Sequence, residues 1–181
     1  MAYQSLESTS GWISRNTRGT SLRDARPIKH LLSARMLDVD DIDELCHLAD
    51  DFESGAVTSS AAAGKTVALL FFQSSTRTRQ GFESATVTLG AHAIGMEDMS
   101  SSRTNARVGE SLEDCAAVVS RLSDAIIVRH HEPGAAARMA AKSVCPVINA
   151  GDGWNEHPTQ ALIDIYAMRR GLGTIRGKSI A

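Results

Sequence analysis

The chain has 181 residues, 43% of them apolar, which is enough for one domain with a sizeable core. Its formal net charge of −2 gives no general attraction to nucleic acid or to an anionic membrane, and an aromatic content of 4% leaves little with which to stack on bases. No apolar stretch approaches the roughly 20 residues of a membrane span, and the N-terminus lacks the apolar centre of a signal peptide.

Residues 1–26 are rich in Ser, Thr and Arg without any period and read as a flexible leader. Residues 28–33 enter a helical pattern. Residues 41–52 place Ile42, Leu45, Leu48, Ala49 and Phe52 at helix spacing, with acidic residues at the positive end of that helix. A regular rhythm follows. Strands are expected at 67–72, 92–96, 124–129 and 145–149. Helices are expected at 77–89, 109–122, 134–142 and 157–170. The inward positions are Phe82, Ala85 and Leu89 in the first of these helices, Leu112, Ala116 and Val119 in the second, and Ala161, Ile165 and Met168 in the last. Strands that alternate with helices pair in parallel, so the fold class is α/β, a parallel sheet of about four strands covered by helices on both faces. Residues 177–181 read as the first part of a further strand, the start of a second domain. Cys46, Cys115 and Cys145 are odd in number, widely spaced and outside metal-ligand patterns, which suits buried or free thiols in a reducing cytoplasm.

In such a sheet, ligands bind beyond the carboxyl ends of the strands. The polar residues that carry chemistry fall there. Ser75-Thr76-Arg77-Thr78 follow the first strand and open a helix. The first N–H groups of a helix lack internal partners and its dipole favours negative charge, so hydroxyls and a guanidinium at that point suit a phosphate. The same residues also suit a plain N-cap with solvated arginines. There is no Walker loop. Arg129 ends the third strand, next to His130 and His131, which read as solvated or capping side chains. His157 precedes a proline at a helix entrance, with Gln160 one turn on. Together these form a site of donors with no evident nucleophile and no metal cluster. Such a site suits stabilisation of a developing oxyanion and a leaving phosphate.

The segments FFQSSTRTR, VRHHEPGAAAR and PVINAGDGWNEHPTQALID, in this order, resemble the carbamoyl-phosphate-binding half of the aspartate carbamoyltransferases, over roughly residues 27–181. The Ser-Thr-Arg-Thr motif is shared with the ornithine carbamoyltransferases. The resemblance implies that 27–176 are a carbamoyl-phosphate-binding domain and that a second, amino-acid-binding domain belongs beyond 177–181. It implies that Ser75, Thr76, Arg77 and Thr78 hold the phosphate, and that Arg77 stabilises its departure. Thr78, Arg129 and His157 would donate to the carbamoyl oxygen, and Gln160 would accept from the carbamoyl NH₂. The amine of L-aspartate would attack, giving N-carbamoyl-L-aspartate for pyrimidine biosynthesis, with no cofactor. Homotrimers with sites shared between subunits, and larger assemblies, are further implications.

Two positions depart from the family pattern. A lysine normally supplied to the neighbouring subunit's site aligns with Val108, with Arg107 beside it and Thr104 at the loop serine. Gln73 stands where an acidic residue usually helps lock domain closure. Three readings stay open: a transferase acting on aspartate, one acting on another amine, or a non-catalytic paralogue that binds carbamoyl phosphate or assembles with an active partner. This chain without its amino-acid-binding half is expected to be inactive.

Overall fold

A computed structural model describes residues 30–57, 60–95 and 110–180. The expected leader, and Thr104, Arg107 and Val108 of the expected neighbouring-subunit loop, lie outside the described residues.

Among the described residues, four parallel strands, β1 (Thr66–Phe71), β2 (His92–Gly95), β3 (Ala125–His130) and β4 (Val147–Asp152), form one sheet in the order β2-β1-β3-β4. Five α-helices accompany them in the same described residues: α1 (Val39–Glu53), α2 (Thr76–Thr88), α3 (Leu112–Val119), α4 (Ala135–Ala140) and α5 (Pro158–Leu172). The expected fold class is the observed one. Side-chain alternation along β1 splits the core in two. Ala68 and Leu70 pack with Leu112, Cys115 and Ala116 of α3 and Ala135, Ala136 and Met139 of α4. Val67, Leu69 and Phe71 pack on the other face with Ile127 and Ala150, against Phe82 and Leu89 of α2. All three cysteines are buried and outside disulfides.

Several local expectations are corrected. Residues 30–32 are not helical: Leu31 lies parallel to β4, donating its N–H to Val147 O at 2.8 Å and accepting from Asn149 N–H at 2.8 Å. The open edge of β4 is satisfied by this strap, a pairing that a local apolar pattern does not report. Helix α1 starts at Val39 behind a capping box of Asp38 and Asp41. Only Cys46 of α1 is buried; Leu45, Leu48 and Phe52 stay exposed. In α2 the buried position is Thr86 rather than Ala85. Its hydroxyl donates to Phe82 O at 2.7 Å, which satisfies it inside the core. Gly81 fills no tight space, since a Cβ there would meet nothing within 4 Å.

Strand β4 runs to Asp152, three residues past its expected end at Asn149. Asn, Gly and Asp read as turn residues in sequence. Here the β3–β4 ladder slips between Val128 and His130, and Gly151, at φ +113°, absorbs the bend.

Met139 is fully buried between α4 and the sheet. Met139→Ala should lower unfolding stability by about 2–5 kcal/mol through lost burial and a residual cavity, read as a lower urea midpoint with an unchanged slope. A wild-type midpoint would show that this layer is not a tightly packed core.

Candidate functional site

The strand order sets where a site can form. From β1 the chain winds to one side, to β2, and then crosses to β3 on the other side of β1. The crevice between the carboxyl ends of β1 and β3 is therefore a topological switch point. Phe71 at the end of β1 is in register with Arg129 on β3, and Phe72 N–H donates to Arg129 O at 2.9 Å. Arg129 has the parity of Ile127, so it points to the face that α2 covers.

Ser75 is the N-cap residue of α2 with an extended backbone (φ −160°, ψ 95°), yet its side chain makes no capping bond. The first helical hydrogen bond runs from Arg79 N–H to Ser75 O at 3.1 Å. The N–H groups of Thr76, Arg77 and Thr78 precede it, and the positive end of the helix lies among them. Of the two roles the sequence leaves open for Ser75, side-chain capping is the one the geometry does not use. Arg77 is exposed and forms no ion pair among the described residues, whereas Arg79 is bound to Glu83 at 3.0 Å. An open cleft of about 400 Å³ lies against this helix mouth, walled by Phe71, Ser74, Ser75, Thr76, Arg79, Gln80 and Glu83. Arg77, Arg129 and His157 are not among its walls, so the cleft covers only one side of the rim. The side-chain chemistry defines the site better than this hollow does.

Arg129 donates from Nη1 to Ala150 O at 2.9 Å, while its buried Nε has no hydrogen-bond partner among the described residues. A buried donor without an acceptor is costly, and at a strand end it marks a place for one. His157 is beside it: a Cβ on Gly151 would lie 2.8 Å from Arg129 Nη1 and 3.3 Å from His157 Cδ2. Only glycine fits between these two side chains.

His157 caps α5. Its Nδ1 accepts from Gln160 N–H at 3.3 Å, with the Thr159 hydroxyl 3.2 Å away, so the ring proton sits on Nε2. Burial, and then the charge of Arg129, push the imidazole below its ordinary pKa. His157 is thus a neutral donor near neutral pH. Gln160 donates its Nε2 to Asp164 Oδ1 at 2.9 Å, which leaves the amide oxygen as an acceptor.

His130 is a correction. It is buried, its ring tilted against Phe72 at 5.0 Å and stacked on His131 at 4.3 Å, and its Nδ1 accepts from Glu132 N–H at 2.9 Å. Burial, and then the nearby His131, lower its pKa. Its bond ties the loop after β3 and caps no helix, since α4 starts behind Gly134 without a side-chain cap, and solvation describes only His131.

Two residues that sequence reasoning did not single out organise the turn carrying His157. Buried Asp152 accepts from Gly134 N–H at 2.8 Å, from Glu156 N–H at 3.0 Å and from the Asn155 amide at 3.2 Å. Burial pushes its carboxyl up, yet these backbone donors hold it below the usual carboxylate range. Glu156 reaches across to the strap, where Ser33 Oγ and Ala34 N–H donate to its two oxygens at 2.8 and 2.9 Å. The flanking glycines of Asp152 signalled a special turn; nothing in the sequence pairs Glu156 with residues more than 120 positions away. Among the described residues, no three His, Cys, Asp or Glu side chains are placed to hold a metal ion.

The family model for the aspartate/ornithine carbamoyltransferase carbamoyl-P binding domain matches residues 29–170. The aspartate carbamoyltransferase catalytic subunit of Methanococcus vannielii is 43% identical over 157 residues, 85% of this chain and 51% of that relative. A chloroplastic aspartate carbamoyltransferase of Oryza sativa subsp. japonica is 41% identical over 81% of this chain and 42% of its own length. Among solved structures, aspartate transcarbamoylase from Trypanosoma cruzi in complex with carbamoyl aspartate and phosphate superposes with a TM-score of 0.76 at 31% identity, over 83% of this chain and 47% of that one. The catalytic subunit of M. jannaschii aspartate transcarbamoylase gives 0.74 at 39% identity, over 82% and 49%. The chain spans about half the length of the relatives it matches.

Both imidazoles, His130 buried and His157 half-buried, are neutral in the fold and regain the ordinary value of 6.5 on unfolding. Between the lowered values and 6.5 the unfolded chain binds more protons. Their contribution to stability is present above 6.5 and is lost as pH falls through the folded values. Unfolding free energy should therefore drop as pH falls from above 6.5 toward the lowered folded values, and the His130 and His157 resonances should titrate below 6.5. Midpoints at or above 6.5 would contradict the burial described.

Proposed function

Because the chain belongs to the aspartate/ornithine carbamoyltransferase family, we propose that the crevice between β1 and β3 binds carbamoyl phosphate and supports transfer of its carbamoyl group to the amine of L-aspartate. The product would be N-carbamoyl-L-aspartate, for pyrimidine biosynthesis. The observation that carries this reading is Arg129. Its buried, unpartnered Nε sits beside a neutral His157 donor at the end of the strand next to the Ser75–Thr78 helix mouth.

In this reading Ser75, Thr76, Arg77 and Thr78 hold the phosphate with hydroxyls, unpaired helix N–H groups and the guanidinium of Arg77. Thr78, Arg129 and His157 Nε2–H donate to the carbamoyl oxygen, and Gln160 Oε1 accepts from the carbamoyl NH₂. As the amine nitrogen bonds to the carbonyl carbon, that oxygen gains negative charge and the donors tighten on it. The carbon–oxygen bond to phosphate then breaks, and the amine proton leaves with the phosphate. A neutral His157 can donate in this way without adding a third positive charge beside the two guanidiniums. No cofactor enters. Residues 27–176 form the carbamoyl-phosphate-binding domain, and the amino acid is held by a second domain beyond them.

The similarity of this chain to proteins named aspartate carbamoyltransferase, rather than ornithine carbamoyltransferase, supports aspartate as the amine. A homotrimer, with Thr104 and Arg107 reaching a neighbouring site, and a cytoplasmic setting suited to three cysteines outside disulfides complete the proposal. A second reading, binding without turnover, is favoured by one observation: Val108 stands where the family's loop lysine aligns.

Calorimetry of the 181-residue chain with carbamoyl phosphate tests the site, and phosphate release with aspartate, in protein that includes an amino-acid-binding half, tests the reaction. Arg77→Ala should lower the second-order rate constant by about a hundredfold or more, on the order of 3 kcal/mol of lost transition-state stabilisation. A wild-type rate in that variant would sink the assignment. Binding without phosphate release in the wild type would select the second reading.

A further inference from the structure

The strap along β4 ends at the candidate site. Leu31 pairs with β4 on both sides of Ile148, Asn149 Nδ2 donates to Leu32 O at 3.0 Å, and His30 Nδ1 accepts from Val147 N–H at 3.2 Å. Two residues further, the Ser33 hydroxyl both accepts from Arg35 N–H at 3.1 Å and donates to Glu156 Oε1 at 2.8 Å. Ala34 N–H takes the other oxygen at 2.9 Å, and Arg35 Nε lies 3.8 Å from Oε1. Both oxygens of one carboxylate are thus held by a segment more than 120 residues away in sequence. Glu156 is also held through its backbone: its N–H donates to Asp152 Oδ1 at 3.0 Å, and its carbonyl accepts from Asp152 N–H at 3.2 Å. The next residue is His157.

We propose that Glu156 is a positioning residue for His157, tying the turn before it to the strap at 31–35 so that Nδ1 meets Gln160 N–H and Nε2–H is left for a ligand. The Nδ1 bond is long, at 3.3 Å, so His157 does not fix its own ring firmly. The ring is held from behind, by a backbone that two anchors pin at Glu156. One anchor, Asp152, also binds Gly134 N–H, so it locks the turn to the loop after β3. The other anchor, Glu156, locks it to the strap. The proposal rests on the carbamoyl-phosphate reading only for the identity of the ligand; the tautomer and its support are properties of this chain.

The experiment uses the 181-residue chain with ¹⁵N-labelled histidine, as wild type, Glu156→Ala, Glu156→Gln and Ser33→Ala. Long-range proton–nitrogen spectra at pH 7.5 report the tautomer, and carbamoyl phosphate is the titrant. Wild type should show a single Nε2–H tautomer for His157. Glu156→Ala should mix the tautomers and weaken carbamoyl phosphate roughly tenfold, by misplacing a donor it does not itself replace. Glu156→Gln should restore most of both, because its amide oxygen can still accept from Ala34 N–H. Ser33→Ala, which removes one hydrogen bond, should fall between and serves if Glu156→Ala does not fold. Unchanged His157 nitrogen shifts and affinity in Glu156→Ala or, failing that variant, Ser33→Ala, or a change in melting temperature alone, would overturn the proposal. A wild-type chain that does not bind carbamoyl phosphate would instead sink the functional reading, while the nitrogen shifts would still judge Glu156.

Discussion

The parallel pairing of β1 with β3, fixed at Phe71 and Arg129, is the constraint on which the rest of the site depends. Parallel neighbours point their carboxyl ends the same way, and the pairing of Phe71 with Arg129 brings the end of β1 level with the end of β3. With β2 on the far side of β1, the helix that follows β1 and the loops that follow β3 and β4 diverge from that level instead of covering it. A crevice remains because the winding reverses there, not because side chains hollow it out. The same register points Arg129 to the face of α2, toward the helix end that favours an anion.

Keeping polar groups at this rim requires a supporting layer, and the structure supplies it in buried hydrogen bonds. Asn149 is fully buried and serves two backbones at once: its amide nitrogen donates to Leu32 O, and its amide oxygen accepts from Gly151 N–H at 2.8 Å. Asp152 does the same for Gly134 and Glu156. Each would be expensive to bury without these partners. With them, the bend at Gly151 becomes rigid, and Arg129 and His157 meet across a residue with no side chain. Against this background, Arg129 Nε is the one buried side-chain nitrogen or oxygen among the described residues without a hydrogen-bond partner.

Much of this was legible in sequence. The alternation of apolar runs reported the α/β class and all four strands, because strand and helix periods are local. The polar clusters at 75–78, 129 and 157–160 were legible as rim residues, because in a parallel sheet the carboxyl ends follow directly from strand assignment. What was not legible is non-local. Leu31 pairs with a strand that begins at Val147, so its apolar neighbours looked like a helix entry. His130 looked solvated beside His131 and Glu132, but Phe72, from another strand end, covers it. The extension of β4 through Asn149-Ala-Gly-Asp defeated turn chemistry because the ladder to β3 continues past a bulge. Exposed Leu45, Leu48 and Phe52 show the opposite failure: a clean helical period does not say what, if anything, covers it.

The arginines divide their work by their partners. Arg79 is neutralised by Glu83 one turn on, and the pair forms part of the cleft wall. Arg138, after β3, is taken by Glu113 at 2.7 Å. Arg77 and Arg129 have no carboxylate among the described residues. A guanidinium beside a carboxylate offers an incoming anion a reduced field, because the anion must displace or share that partner. At the rim, Arg77 and Arg129 are thus the pair whose charge a dianion would meet in full, one at a helix end and one at a strand end. Protonating His157 would raise the positive charge further, and the surroundings resist it: burial and Arg129 both hold the imidazole neutral. Arginine stays charged at any working pH, whereas the imidazole of His157, its tautomer set by a backbone N–H, offers a donor that carries no charge.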